Sequence, residues 1–467
     1  MKLNIFLVIL LLFIFSGVRS QTFQETLNQI CIDHSQVGAS VVTRCNAETN
    51  SYHYGVQNIN SGVEINDNTI YRIASISKAL TTIGAMKLYE TGLLDLDEDI
   101  STYLGYEVRN PSFPEVAITA KMLLSHKSSI VDGSGYGDFL SASYSSFPPI
   151  SVEEVLLNTG DYYTADMFNS IEPGTYFNYS NINFGLLGTV IEAVANQRFD
   201  LYMDQILFEP LELNGGFNLY DIELEHLATL YRDSAAQSDD FGGGPLESPD
   251  YSLYTPGTNA VIFSPHGGCR LSAVDLAQVM AVLLDLGTVE VNGSDVEILS
   301  SETVELMLTP QYTYDGSNGN NYFGLFSSWG LGIHLTTNTQ GADVVFGDLE
   351  MAGHPGEAYG LISDMYVNTT ENIGIVFMTN GYYSGGNYDL GLNSSFYTLE
   401  EEIFSAAYEL ELSECDANNV LEVKKDKERG EVISIKNVLG QECNPDSNEL
   451  LFLLYENGTV EKKWFAE

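Results

Sequence analysis

Residues Ile373–Thr379, IGIVFMT, form a near-continuous apolar run that stops at Asn380-Gly381. A half-exposed strand alternates polar and apolar positions. A short unbroken run that ends in a turn dipeptide reads instead as a strand buried in a core. Val37–Arg44 (VGASVVTR), near the other end of the chain, is a second strand candidate, and Ser51–Val56 a third. Between these ends the period becomes helical. Ile76–Leu88 carries apolar residues at 76, 79, 80, 83, 86 and 88, with Gly92 as its C-terminal stop. Thr22–Ile32, Asn183–Ala195, Leu271–Leu286 and Thr398–Leu410 are further helices, and Ser272 is available as an N-cap. Ser234–Pro256, rich in Ser, Asp, Gly and Pro, reads as a surface loop. Strands at both ends with helices between them predict an α+β domain, an α/β sandwich whose ends share one sheet.

Charge narrows the function. The 467 residues hold 19 Lys+Arg against 64 Asp+Glu, a formal net charge of −45. Nucleic acid and anionic membrane surfaces are repelled by such a field, so neither is expected as a partner. Residues 1–20, MKLNIFLVILLLFIFSGVRS, have one early lysine, an apolar run and then small residues. They read as a signal peptide cleaved before Gln21, leaving no membrane span in the mature chain. Of five cysteines, Cys31 and Cys45 are the best bridge candidates. Residues 421–467 hold seven bases and ten acids, whereas 21–420 hold ten bases and 54 acids. This break, together with β-type alternation at Ile433–Lys436 and a hairpin pattern over Leu450–Phe465, marks a small β module at 425–467. It follows a main domain at 21–412.

The chemistry starts at Ser75-Ile76-Ser77-Lys78, an S-x-x-K at the start of a predicted helix. Residues i and i+3 share a helix face, so Lys78 lies beside the Ser75 hydroxyl, while Ser77 is at the wrong spacing. A serine becomes nucleophilic at neutral pH when a nearby base takes its proton, and a helix N-terminus favours the developing negative charge. Pro173–Asn181 (PGTYFNYSN) and Gly353-His354-Pro355-Gly356 follow further along the chain. His126 in LLSHKSS and His266 beside Gly267-Gly268 read as packing residues. H-E-x-x-H, H-x-H-x-D-H, paired C-x-x-C and G-x-x-x-x-G-K patterns are absent, so no metal or other cofactor is expected.

In order and spacing these segments resemble the serine β-lactamase and penicillin-binding-protein family, in its class C, D-aminopeptidase and carboxylesterase branch. The resemblance covers roughly residues 25–410, from YRIASISK through PGTYFNYSNINFGLLGTVIEAV and PHGGCRLSAVDLAQVM to GHPGEAYGLISDMYVNTTENIGIVFMTN. It implies a β-lactamase/transpeptidase-like antiparallel sheet with a helical subdomain, and an acyl-enzyme mechanism. Ser75 would be the nucleophile, Lys78 its base, and Tyr179 the phenol that exchanges a proton with Ser75 and the leaving group. Asn181 would bond a substrate carbonyl or hold Lys78. His354 would line the opposite wall, Gly356 would let a strand approach the substrate, and the backbone N–H groups of Ser75 and Glu357 would form the oxyanion hole.

Three positions depart from the family. His354 stands where dedicated class C β-lactamases carry lysine, Glu357 adds a carboxylate beside the oxyanion position, and Ser129 replaces a usual glycine in LLSHKSS. The first two departures favour neutral esters or amides over anionic β-lactams, and Ser129 bears only on a turn. Alternatives are a D-Ala-D-Ala carboxypeptidase or D-amino-acid peptidase on cell-wall peptides, and a non-catalytic peptidoglycan-binding protein. The substrate would be a small molecule or short peptide. The tail, Ile433–Phe465, resembles the sorting domain of the bacterial type IX secretion system. That implies the secretion machinery as a partner and a secreted or cell-surface location reached through the periplasm.

Overall fold

The computed structural model describes residues 22–239, 248–413 and 415, together with three strands of the tail at 432–437, 449–455 and 460–465. The expected signal peptide lies outside the described residues. Contacts divide the chain into two units, 1–369 with 373–413, and 370–372 with 414–467.

In the first unit, α1 (Phe23–Asp33) begins with a capping box in which Thr22 and Glu25 satisfy each other's backbone N–H groups. β1 (Gly38–Cys45) and β2 (Glu48–Gly55) form the first hairpin. α2 (Ser77–Glu90) and α3 (Asn181–Ala195) pack on each other in the helical half. α4 (Ala273–Leu284) starts at the expected cap, where Ser272 accepts from the Asp275 N–H. Short strands β3 (Tyr312–Thr313), β4 (Ser328–Trp329) and β5 (His334–Leu335) lead into β6 (Ala352–Ala358), β7 (Leu361–Asn368) and β8 (Ile373–Thr379), and α5 (Thr398–Ala407) closes the unit.

The eight strands make one antiparallel sheet in the order β2-β1-β8-β7-β6-β5-β4-β3. The two ends of the unit therefore meet in its middle, with Val41 opposite Phe377. Every residue of β8 is buried because both faces are covered. Gly374 lies under Met280 of α4, where an added Cβ would come within 2.7 Å of its sulfur. Tyr366, paired with Ile375, faces the other way toward Phe404 of α5. Each large apolar side chain buried in this layer contributes about 1.5–3 kcal/mol.

The expected elements lie within a few residues of their bounds. The expected bridge fails: Cys31 is a free thiol buried on the inner face of α1, whereas Cys45 and Cys415 are each disulfide-bonded. Cys31 shares that buried face with Phe23, Leu27 and Ile30, which removes it from Cys45.

The second unit holds an antiparallel three-stranded sheet, β9 (Val432–Asn437), β10 (Glu449–Tyr455) and β11 (Val460–Phe465), with β10 central. A chain ending at Cys415 keeps every core strand of the first unit. It is expected to unfold cooperatively with a midpoint within a few degrees of the full chain, measured by calorimetry. A molten or much less stable product would show that the first unit depends on the tail.

Candidate active site

Ser75 sits in a single 3-10 turn, Ala74–Ile76, that runs directly into α2. Ala74 adopts a left-handed backbone with φ +46°, an uncommon state for a residue bearing a Cβ. The turn is pinned from two sides. Ser77 Oγ donates to Ala74 O at 2.6 Å and accepts from the Cys269 N–H at 3.1 Å, so this buried serine is structural. Ser363 Oγ on β7 donates to Ile73 O at 2.9 Å. Gly356 on β6 completes the packing: a Cβ there would lie 2.4 Å from Ser363 Oγ and 2.9 Å from Ile73 O. Its missing side chain thus lets the strand approach the nucleophile turn itself, as well as lining the cavity.

Lys78, the second residue of α2, is fully buried. Its ammonium donates to Ser75 Oγ at 3.1 Å, Asn181 Oδ1 at 3.0 Å and the His266 carbonyl at 2.7 Å. No carboxylate among the described residues bonds it. Burial lowers its pKa to about 7, an effect that the negative charge of Asp132 partly opposes. Tyr179 is half-buried in the cavity wall, its hydroxyl is hydrogen-bonded to Ser75, and Lys78 Nζ lies 4.8 Å from its ring centroid. Desolvation pushes this phenol far up, so it stays protonated across the working pH range.

Asn181, the first residue of α3, is oriented by Asp132, which accepts from its backbone N–H at 2.9 Å and its amide at 3.0 Å. Asp132 also accepts from the Ile182 N–H at 2.8 Å, so one carboxylate caps the helix and aims the amide oxygen at Lys78. His126 is more than packing: its Nδ1 accepts from the Ser180 N–H at 3.2 Å, and its ring lies 4.4 Å from that of Tyr179. LLSHKSS thereby holds the tyrosine corner, with Ser129 in the left-handed region at φ +67°.

His354 does not line the cavity. It is a fully buried residue of β6, its ring beside those of Tyr179 and Trp329, and its Nδ1 bonds the Pro355 carbonyl at 2.6 Å. Burial holds its pKa well below the usual range, so it remains neutral. Glu357 does reach the cavity, where it accepts from Tyr397 Oη at 3.0 Å. His266, expected to be packing, lines the cavity as well as supplying the third acceptor for Lys78.

The cavity has a volume of about 660 Å³. Its wall includes Ser75, Tyr179, Asn181, Tyr322, Phe326 and Glu400. Arg72 also lines it, paired with Asp239, which it shares with Arg270. Burial raises the carboxyls of Glu400 and of fully buried Asp364, and the Glu400 charge pushes Asp364 further up. Asp132, Arg72, Glu400 and Ser363 had no assigned role in the sequence. Asp132 carries a usable signal, an Asp-Gly following SSIV, but its partner lies 49 residues away.

The model of the family described as Beta-lactamase matches residues 21–393. Protein flp of Staphylococcus aureus is 30% identical over 162 residues, which cover 34% of this chain and only 30% of that protein. The chain thus matches less than a third of that relative's length. Penicillin-binding protein 4 of Amycolatopsis lactamdurans is 23% identical over 377 residues, 80% of this chain and 87% of that protein. Among solved structures, the octameric penicillin-binding protein homologue from Pyrococcus abyssi has the same fold. Its TM-score is 0.59 at 21% identity, covering 94% of this chain and 89% of that one.

The packing at Gly356 is directly testable. Gly356→Ala is expected to lower stability by about 1–3 kcal/mol in denaturant titration, because the new methyl group overpacks against backbone. An unchanged midpoint would mean that the turn and β6 can separate freely.

Proposed function

The chain belongs to the beta-lactamase family of serine hydrolases, and on that premise we propose that it is a secreted enzyme that forms an acyl-enzyme on Ser75 and cleaves neutral esters or amides. The observation that carries this reading is the contact of Ser75 Oγ with a buried lysine whose pKa lies near 7. Neutral Lys78 takes the Ser75 proton as the hydroxyl attacks the carbonyl carbon. Tyr179, held as a neutral phenol against Ser75, passes a proton to the leaving group and is reprotonated from Lys78. The N–H groups of Ser75 and Glu357 receive the carbonyl oxygen as it becomes an oxyanion. Water then attacks the ester of Ser75, and the same groups return the protons.

Substrate charge is set near Glu357. The lysine that anionic β-lactams would meet is replaced by His354, which is neutral and buried, so the position offers no cation to a substrate carboxylate. Glu357 and Glu400 share the cavity, and the Arg72 charge is spent on Asp239. These carboxylates also favour a second reading, a D-amino-acid peptidase whose substrate carries a free amine. The tail acts as a secretion address with no part in catalysis.

Ser75→Ala is expected to abolish hydrolysis of a p-nitrophenyl ester and labelling by an acylating inhibitor. An adduct mapped to Ser77 or Ser180 would overturn the assignment. Activity should rise with pH through about 7, as Lys78 loses its proton. Since the Asp132 charge raises that pKa, Asp132→Asn should move the acid limb of the kcat/KM profile to lower pH; a limb that stays put would exclude Lys78 as the base. Glu357→Gln is expected to raise kcat/KM for nitrocefin relative to the ester, and a fall in that ratio would remove Glu357 from specificity.

A further inference from the structure

Two loops that border the cavity, at 322–325 and 390–396, carry exposed apolar side chains that the reaction does not need. Phe323 is 97% exposed, Leu392 86% and Leu390 76%, in a chain of net charge −45. Loose loops often leave such residues in water, but these are held. Tyr322 and Phe323 both occupy the left-handed region, with φ +50° and +59°, and Gly324 follows at +101°. Consecutive non-glycine residues in that region persist only where surrounding contacts enforce them. Tyr322 Oη donates to the Tyr179 carbonyl at 3.1 Å, and Ser395 Oγ donates to the Phe323 carbonyl at 2.9 Å. The leucine loop is equally fixed. Glu401 accepts from the N–H groups of Leu392 and Asn393 at 3.0 and 2.8 Å and from Ser394 Oγ at 2.7 Å, and the Gly391 N–H donates to Phe396 O at 2.7 Å.

We infer that Phe323, Leu390 and Leu392 form an outer subsite that takes the apolar arm of a substrate whose carbonyl lies at Ser75. This rests on the hydrolase reading and adds the substrate's character: a long acyl chain or a bulky apolar group. Continuity selects this occupant. Leu390, Tyr322, Leu325 and Phe396 already line the cavity that holds Ser75, so the rim prolongs its apolar wall outward. Charge disfavours the other occupants, because a surface of this net charge repels a second copy and an anionic bilayer.

The test compares kcat/KM for p-nitrophenyl octanoate and acetate in wild type, Phe323→Ser and Leu392→Ser, with Phe323→Leu as the conservative control. The octanoate-to-acetate ratio should exceed one in wild type and fall about tenfold in each serine variant, as expected for lost apolar contact in a specificity pocket. Phe323→Leu should restore most of it. An unchanged ratio overturns the subsite, as does a wild-type dimer in sedimentation that the serine variants abolish. A binding measurement separates this failure from failure of the hydrolase reading. Ser75→Ala protein should enhance the fluorescence of the neutral probe N-phenyl-1-naphthylamine, and adding Phe323→Ser should weaken that binding about tenfold. Probe binding of this kind without ester hydrolysis would keep the subsite and remove the esterase; hydrolysis with probe binding unmoved by Phe323→Ser would do the reverse.

Discussion

A buried lysine that no carboxylate among the described residues bonds is the constraint on which the rest of the site depends. Taking an ammonium out of water is expensive, and Lys78 meets that cost by losing its proton easily and by giving its donors to Ser75, Asn181 and the His266 carbonyl. Each acceptor comes from a different part of the chain. The nucleophile turn, the start of α3 and the loop before α4 must therefore all be in place before the lysine is satisfied. The same arrangement brings its pKa near neutrality, which a base for serine requires.

The supporting contacts divide the labour. Asp132 sets Asn181 by capping α3, close enough to tune Lys78 but without bonding it. His126 sets the backbone after Tyr179. On the sheet side, Ser363 and the bare face of Gly356 let β6 and β7 press against the turn that carries Ser75. The helical half thus supplies proton chemistry and the sheet supplies a rigid wall, and the cavity lies where they meet.

The strongest periodic signals were legible in the sequence. IGIVFMT forms a strand with the expected bounds, Ser272 caps its helix, and Ser75 and Lys78 touch at the predicted i, i+3 spacing. Two-residue strands such as Tyr312–Thr313 and His334–Leu335 were not, because segments that short have no measurable period. His354 shows the limit for side chains: alternation along β6 does not say which face meets the cavity, and the structure turns it behind the wall toward Trp329.

By itself the sequence determined the longer strands and helices, an α+β class and the pairing of Ser75 with Lys78, features that depend on local spacing, which the covalent chain enforces. The segments bearing Tyr179 and Gly356 were marked by resemblance to a family. Only the tertiary structure decided that Asp132 aims Asn181, that His266 reaches the cavity while His354 does not, and that the loops carrying Phe323 and Leu390 both border it. Those are contacts between residues tens to hundreds of positions apart. They arise from how the sheet and helices pack, and no local period encodes them.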